Sequence, residues 1–340
     1  MIFFVRQYPN PDGGKEKYLS RLIDLLQKEG KKHGLIESSI PRFFPSWLKI
    51  ILFNIQVCLF KKGNFLFSLE RISCPDIFRA GDGVHKHFVK IEEKSYLNPL
   101  HSLTIFFEKR SFFNSKKVIA NSKMVKREIL HYYDIPSEKV EVIYNGIDTK
   151  EYCSDRAKED LSSHFPIAGK TIFLVVGSGF KRKGVKEFLL LLSKLNIEDY
   201  FGFVVGGDKN LDTYKKIALE LGIEKNIAFT GKRKDIGKFY SISDFFILPS
   251  HYDPFSNAVL EAMINRNIVF TTEQNGAHEI LEDGFIMNDS NDLSIIDLIN
   301  KIIANKKLMD IYKQRNYEVA MNFTIENNLE QTFRLIQEIS

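Results

Sequence analysis

Asp253 and Glu261 bracket the stretch Asp253-Pro-Phe-Ser-Asn-Ala-Val-Leu-Glu261. An apolar, strand-like run, Phe245-Phe-Ile-Leu248, precedes it and a helical pattern follows. Ser256 is a good helix N-cap type, and Pro254 suits the turn before it. A helix starting near Asn257 presents free N–H groups and the positive end of its dipole, which is a site for a diphosphate. Asp253, just outside the cap, can accept hydrogen bonds from sugar hydroxyls, and Glu261 can accept from a ribose. A capped surface helix with incidental acids fits the same letters.

Other glycine-bearing stretches sit at the ends of strand-like runs. Gly177-Ser-Gly-Phe-Lys-Arg-Lys-Gly184 carries Arg182 and Lys183 in a glycine-flanked loop. Arginine can grip phosphate oxygens bidentately, and lysine acts as a point charge. The spacing lacks the Gly-Lys-Ser/Thr of a Walker A loop. No Gly-x-Gly-x-x-Gly follows the first strand, so a nicotinamide cofactor is not favoured. Val205-Gly-Gly-Asp-Lys209 and Gly231-Lys-Arg-Lys-Asp-Ile236 repeat the pattern of glycine then polar tail. Near the start, Pro11-Asp-Gly-Gly-Lys15 precedes a helical pattern, although Asp-Gly-Gly is also an ordinary turn.

The elements that carry these loops alternate. Strand-like runs occupy 2–5, 65–69, 77–80, 118–120 and 140–144, then 172–176, 202–205, 227–230, 245–248 and 268–271. Several are continuously apolar, as in parallel strands buried on both faces. Helical patterns of about 10 to 15 residues fall between them. This implies an α/β chain with two doubly wound parallel sheets of about five strands each, facing across a cleft. The expected domains are 1–150, joined by a C-terminal helix at about 322–340, and 151–321. Ligands of such sheets bind beyond the carboxyl ends of the strands.

The 340 residues are 44% hydrophobic and 27% charged, ordinary for a globular protein. The net charge of +5 hides an asymmetry. Residues 1–150 hold 25 Lys+Arg against 16 Asp+Glu, and the rest hold 23 against 27. A basic first half points to an anionic partner, a membrane surface or nucleic acid. No nucleic-acid-binding motif is present, so nucleic acid is not expected. Cys58, Cys74 and Cys153 are widely separated and odd in number; no disulfide framework is expected, and a reducing compartment fits. The N-terminus lacks signal-peptide features and reads as a strand. No apolar run reaches the roughly 20 residues that span a bilayer. The nearest, Trp47 to Phe60, is broken by Lys49, Asn54 and Gln56. Aromatics with basic flanks recur in Phe43–Phe53 and around Lys109-Arg110 and Lys116-Lys117, which suits an anionic membrane surface.

Taken in order, Gly13-Gly14, Arg79-Ala-Gly-Asp82, Arg182-Lys-Gly184, Val204-Val-Gly-Gly-Asp-Lys209 and Asp253-x7-Glu261 resemble the retaining GT-B glycosyltransferases of the family-4 type. They are similar in particular to the lipopolysaccharide-core glucosyltransferases that add the first hexose to the inner-core heptose. The resemblance covers most of the chain and is strongest from about 171 to 282. That family usually has Glu-x7-Glu; this chain has aspartate at 253, one methylene shorter.

The resemblance implies a UDP-sugar donor, most simply UDP-glucose, a lipid-linked saccharide acceptor and no metal or other cofactor. Another UDP-sugar, or nucleotide-sugar binding without transfer, are the alternatives. The implied donor-binding residues are Gly13, Gly14, Gly177, Arg182, Lys183, Gly207, Lys232, Arg233, Ile236, Asp253, Phe255, Ser256, Asn257 and Glu261. The implied catalytic set is Asp82, Arg182, Lys183, Asp253 and Glu261. Asp82 would face the acceptor, and His85 would pack. The resemblance also implies membrane contact through residues 85 to 115, and hence a peripheral protein on the cytoplasmic face of the plasma membrane.

Overall fold

The computed structural model describes residues 1–8, 14–149 and 157–339, with no side-chain account for 14–17. The chain divides into two compact units, Met1–Tyr144 with Glu326–Ser340, and Asn145–Ile325.

The first unit contains β1 (Ile2–Arg6), α1 (Gly14–Lys28), β2 (His33–Glu37), α2 (Ser46–Phe60), β3 (Phe65–Ser68), β4 (Ile77–Arg79), α3 (His85–Ile91), α4 (Pro99–Asn114), β5 (Lys117–Ala120), α5 (Lys123–Tyr132) and β6 (Val140–Val142). Its parallel sheet has the order β2-β1-β3-β4-β5-β6. Each unit has six strands, one more than the sequence pattern suggests. The extra strand here, β2, is an edge strand in which only Ile36 is buried, so it carries no apolar run to read.

The second unit contains α6 (Ala157–Ser162), β7 (Thr171–Val176), α7 (Phe180–Lys183), α8 (Val185–Leu192), β8 (Tyr200–Val205), α9 (Leu211–Glu220), β9 (Ile227–Gly231), α10 (Ile236–Ile242), β10 (Phe245–Leu248), α11 (Asn257–Ile264), β11 (Ile268–Thr272), β12 (Ile286–Met287), α12 (Ile295–Ile303) and α13 (Lys306–Ala320). Its order is β12-β11-β10-β7-β8-β9, again parallel. β8 and β10 are buried at every residue and β7 at all but its first, as continuous apolar runs require. The unread strand, β12, is only two residues long.

A last helix, α14 (Ile325–Ile339), joins the first unit. Tyr18 donates to Thr332 Oγ1 at 3.1 Å, and Lys116 donates to the Ile339 carbonyl at 3.1 Å.

One expectation fails. Cys58 and Cys74 form a disulfide, with Cα atoms 5.9 Å apart. α2 runs down the sheet, β3 returns, and the loop before β4 therefore meets the end of α2. Asn54 braces the same loop: its Nδ2 donates to the Arg71 carbonyl at 3.2 Å, and its Oδ1 accepts from the Ser73 N–H at 2.8 Å. That polar break in an apolar helix has a structural purpose. The pairing removes the cysteine argument for a reducing compartment. Cys153 lies outside the described residues.

Candidate donor-binding site

In the second unit, β7 is flanked by β8 and β10, so the strand order reverses between β7 and β10. Ligands of open parallel sheets bind beyond the carboxyl ends at such a switch point. The loops after these two strands are the ones that carry Arg182-Lys183 and Asp253–Ser256.

Glycine lets the loops close on each other. A side chain on Gly184, at φ 71°, would put its Cβ 1.8 Å from the Pro249 carbonyl oxygen. A Cβ on Gly206 would lie 1.9 Å from the Gly177 carbonyl oxygen. Any larger residue would force the β7 loop away from its neighbours.

Lys183 is buried and donates to Asp253 Oδ2 at 2.6 Å and to Ser256 Oγ at 3.2 Å. Arg182 donates to the same Asp253 oxygen at 3.1 Å and to the Tyr252 carbonyl at 3.0 Å. Burial alone would raise the Asp253 carboxyl, but the two cations overcome it and hold the group below the usual range. Two cations against one carboxylate leave one positive charge in excess. Ser256 stands at the N-cap position of α11, but its side chain makes no capping bond; its oxygen accepts from Lys183 instead. The turn is held from beneath by Asn275, whose buried Oδ1 accepts from the Ser256 N–H at 3.1 Å.

Glu261, one turn into α11, accepts from the Tyr240 hydroxyl at 2.7 Å. Phe255 is buried, and the exposed Asn257 accepts from Asn145 Nδ2 at 2.8 Å. Gly177 follows β7 directly, and a Cβ there would meet the Lys183 side chain. Gly207 lies against Lys232, where a Cβ would be 3.3 Å from the lysine stem. Arg233 makes two 2.8 Å bonds to Asp235, which holds that carboxyl below its usual range. Ile236 opens α10. Asp208 accepts from the Phe180 N–H at 2.8 Å and so holds the start of α7.

Asp82 belongs to the first unit. It is half-exposed, with Arg71 Nη1 3.9 Å away. Arg71 donates to Glu108 Oε2 at 2.8 Å and to the Gly83 carbonyl at 3.0 Å. Glu108 is fully buried and also accepts from the Tyr133 hydroxyl at 2.7 Å and from the N–H groups of His85 at 2.5 Å and Lys86 at 3.2 Å. His85 is lowered to about 4, first by burial and then by Arg71, so its imidazole is neutral at pH 7. Gly14 opens α1, and Gly13 lies outside the described residues.

The structure thus brings Arg182, Lys183, Asp253 and Ser256 into direct contact. Sequence reasoning missed Tyr240, Asn275 and Glu108. A signal existed for Glu108, an acid on the same helical stripe as Ser111 and Phe112. Asn275-Gly276 reads only as a turn, and Tyr240 gives no signal.

Two family patterns match: "Glycosyl transferases group 1" over residues 157–319 and "Glycosyltransferase Family 4" over residues 79–151. The crystal structure of WaaG, a glycosyltransferase involved in lipopolysaccharide biosynthesis, superposes with a TM-score of 0.80 at 18% identity, covering 98% of both chains. The chain has the GT-B glycosyltransferase fold. A second GT-B relative in structure, HepE of Anabaena in complex with UDP-glucose, gives a TM-score of 0.77 at 18% identity over 99% of both chains. In sequence, the lipopolysaccharide core biosynthesis glycosyltransferase LpsE of Rhizobium meliloti is 25% identical over 54% of this chain and 53% of its own. Matches to curated relatives span about half to three-fifths of those proteins' lengths.

Proposed function

We propose that this GT-B chain is a retaining hexosyltransferase that needs no metal. It takes a hexose from a UDP-sugar, glucose from UDP-glucose before others, and passes it to a lipid-linked saccharide such as the heptose of a lipopolysaccharide or lipooligosaccharide core. The observation that carries the reading is the pair Lys183 and Arg182 at the β7/β10 switch point, beside the amino end of α11. HepE in complex with UDP-glucose supports the donor class, and WaaG and LpsE support the lipopolysaccharide-related acceptor.

The chemistry follows from the charges. The bond from sugar C1 to the diphosphate oxygen breaks, and negative charge grows on the leaving UDP. Lys183, Arg182 and the N–H groups of α11 meet that charge already oriented, and removing one such donor costs about 3 kcal/mol of barrier. The acceptor hydroxyl attacks C1 from the face the diphosphate leaves. Its proton passes to a phosphate oxygen, and the configuration at C1 is kept. Glu261 holds the ribose, Asp253 the sugar hydroxyls, and the loop from Lys232 to Ile236 the uracil. Asp82 orients the acceptor hydroxyl. The basic first half meets an anionic membrane, with the protein peripheral on its cytoplasmic face.

Asp253 supports a second reading. Its short side chain is already bonded to both cations, an arrangement suited to binding nucleotide-sugars without transfer. One experiment separates the two: UDP release from a panel of UDP-sugars in EDTA, with and without a heptose-containing core acceptor. Transfer predicts acceptor-dependent release from one donor. Tight UDP binding with no release from any donor supports the binding protein, and activity that requires an added divalent ion contradicts the metal-free chemistry.

A further inference from the structure

α2 is an unusual helix for the surface of a soluble unit. Trp47, Ile51, Ile55 and Leu59 recur every fourth residue, which sets them on one face. The opposite face packs inward through Phe53, Asn54 and Val57. On the outer side Trp47 is 42% exposed, Ile55 54%, Leu59 68% and the adjoining Phe60 52%. Fifteen residues make about 22 Å of helix, too short to cross a hydrocarbon core of about 30 Å. Among the described residues no helix is long and apolar enough to cross a membrane. Such a helix can lie in the plane of an interface.

The charges around it are of one sign. From Ser38 to Leu69 the sequence holds Arg42, Lys49, Lys61 and Lys62 and no acid. Just past the exposed Leu59 and Phe60 lies a cavity of about 520 Å3 lined by Lys31, Lys32, Lys61 and Lys116, with Phe65 and Asp76. Asp76 pairs with Lys61, and Lys116 lies 3.7 Å from it, so four cations face one carboxylate. α2 packs on α4, where Lys109 and Arg110 lie over the partly exposed rings of Phe113 and Phe106. A stripe of insertable side chains ending at a lysine-lined cavity complements an anionic lipid leaflet, with acyl chains against α2 and a headgroup phosphate among the lysines.

We infer that the outer face of α2 and the lysine-lined cavity at its end dock this protein on an anionic lipid bilayer, α2 lying in the membrane plane. The inference rests on the membrane partner proposed above and names the element that makes the contact. It does not depend on the sugar or on transfer.

Trp47 is the only tryptophan of the chain and stands on this face, so the protein carries its own probe. Emission and acrylamide quenching are measured with vesicles of phosphatidylcholine, alone and mixed with phosphatidylglycerol, at low and high salt. The inference predicts a blue shift and loss of quenching on the anionic vesicles, weakened by salt. Lys31→Gln with Lys32→Gln should lower anionic partitioning at least about tenfold. Ile55→Asn with Leu59→Asn, both exposed and tolerant of change, should lower it by a similar factor. UDP affinity should be unchanged in both variants, so that loss of docking is separated from loss of the donor site. Unchanged Trp47 emission on anionic vesicles, or both double variants binding like the parent, overturns the inference. So does a dimer in solution that Leu59→Asn dissolves, which assigns the face to a second copy. Saturable binding of inorganic phosphate to the lysines without vesicle binding assigns the cavity to a soluble anion and also overturns it.

Discussion

Two carboxylates, Asp253 in the loop after β10 and Glu108 on α4, are each held by cations or donors, yet they are held to different ends. Around Asp253, two cations share one acid, and an excess positive charge sits beside a helix amino end. That is a group able to trade one anion for another. Around Glu108, Arg71, Tyr133 and two backbone N–H groups converge on one buried acid. That group is complete in itself. It fixes the loop from Gly83 to Lys86 and leaves Asp82 half-exposed beside it. One group holds an excess positive charge at a helix amino end; the other directs its charges at shaping the turn into α3.

The largest effect that tests this contrast is on stability. Glu108→Leu leaves the partly buried Arg71 without its main partner, and the Tyr133 hydroxyl without its acceptor, and should cost about 3 kcal/mol, read by denaturant unfolding. A loss under about 1 kcal/mol would mean that Arg71 finds water or Asp82 and that the group is not self-contained. Reducing the Cys58–Cys74 disulfide opens a loop whose ends are 16 residues apart and should cost the first unit about 3 kcal/mol. An unfolding curve unmoved by dithiothreitol would show that Asn54 and packing alone hold α2.

Smaller effects sharpen the comparison. Glu261→Ala should weaken UDP binding, checked by calorimetry, with little change in unfolding, because its side chain is half-buried rather than central. The last effect concerns pH. His85 is lowered to about 4 from an ordinary value of 6.5, so the unfolded chain binds its proton first as the pH falls. Stability from this group is present above about pH 6.5 and is lost between there and about pH 4. His85→Gln should flatten that part of the stability profile, and an unchanged slope would place the titration elsewhere.

Legibility divides along the same line. β7 and β8 are continuous apolar runs followed by glycine and cations, and β10 is one followed by Asp253, so both the sheet and its loops can be read from the letters. The loops after these strands are short and local, and each motif sits within a few residues of its strand. The Glu108 group was unreadable because its members, Arg71 in the β3–β4 loop, His85 on α3, Glu108 on α4 and Tyr133 just past α5, lie on separate segments and meet only in the folded unit. β2 escaped because an edge strand with one buried residue has no period to detect. The disulfide escaped because the reversal of chain direction after α2 is what brings Cys74 back to Cys58. The N-cap at Ser256 was read in the right place, yet its oxygen serves Lys183, a partner 73 residues away.

The central claim is that Lys183 and Arg182 bind a nucleoside diphosphate with no metal ion. Its most direct test is a calorimetric titration of UDP in EDTA into the parent protein and into Lys183→Ala. The account predicts binding by the parent in EDTA and a loss of at least about 100-fold in the variant, near 3 kcal/mol, with the fold intact by circular dichroism. Equal UDP affinity in the two proteins, or binding by the parent only when a divalent ion is added, would contradict it.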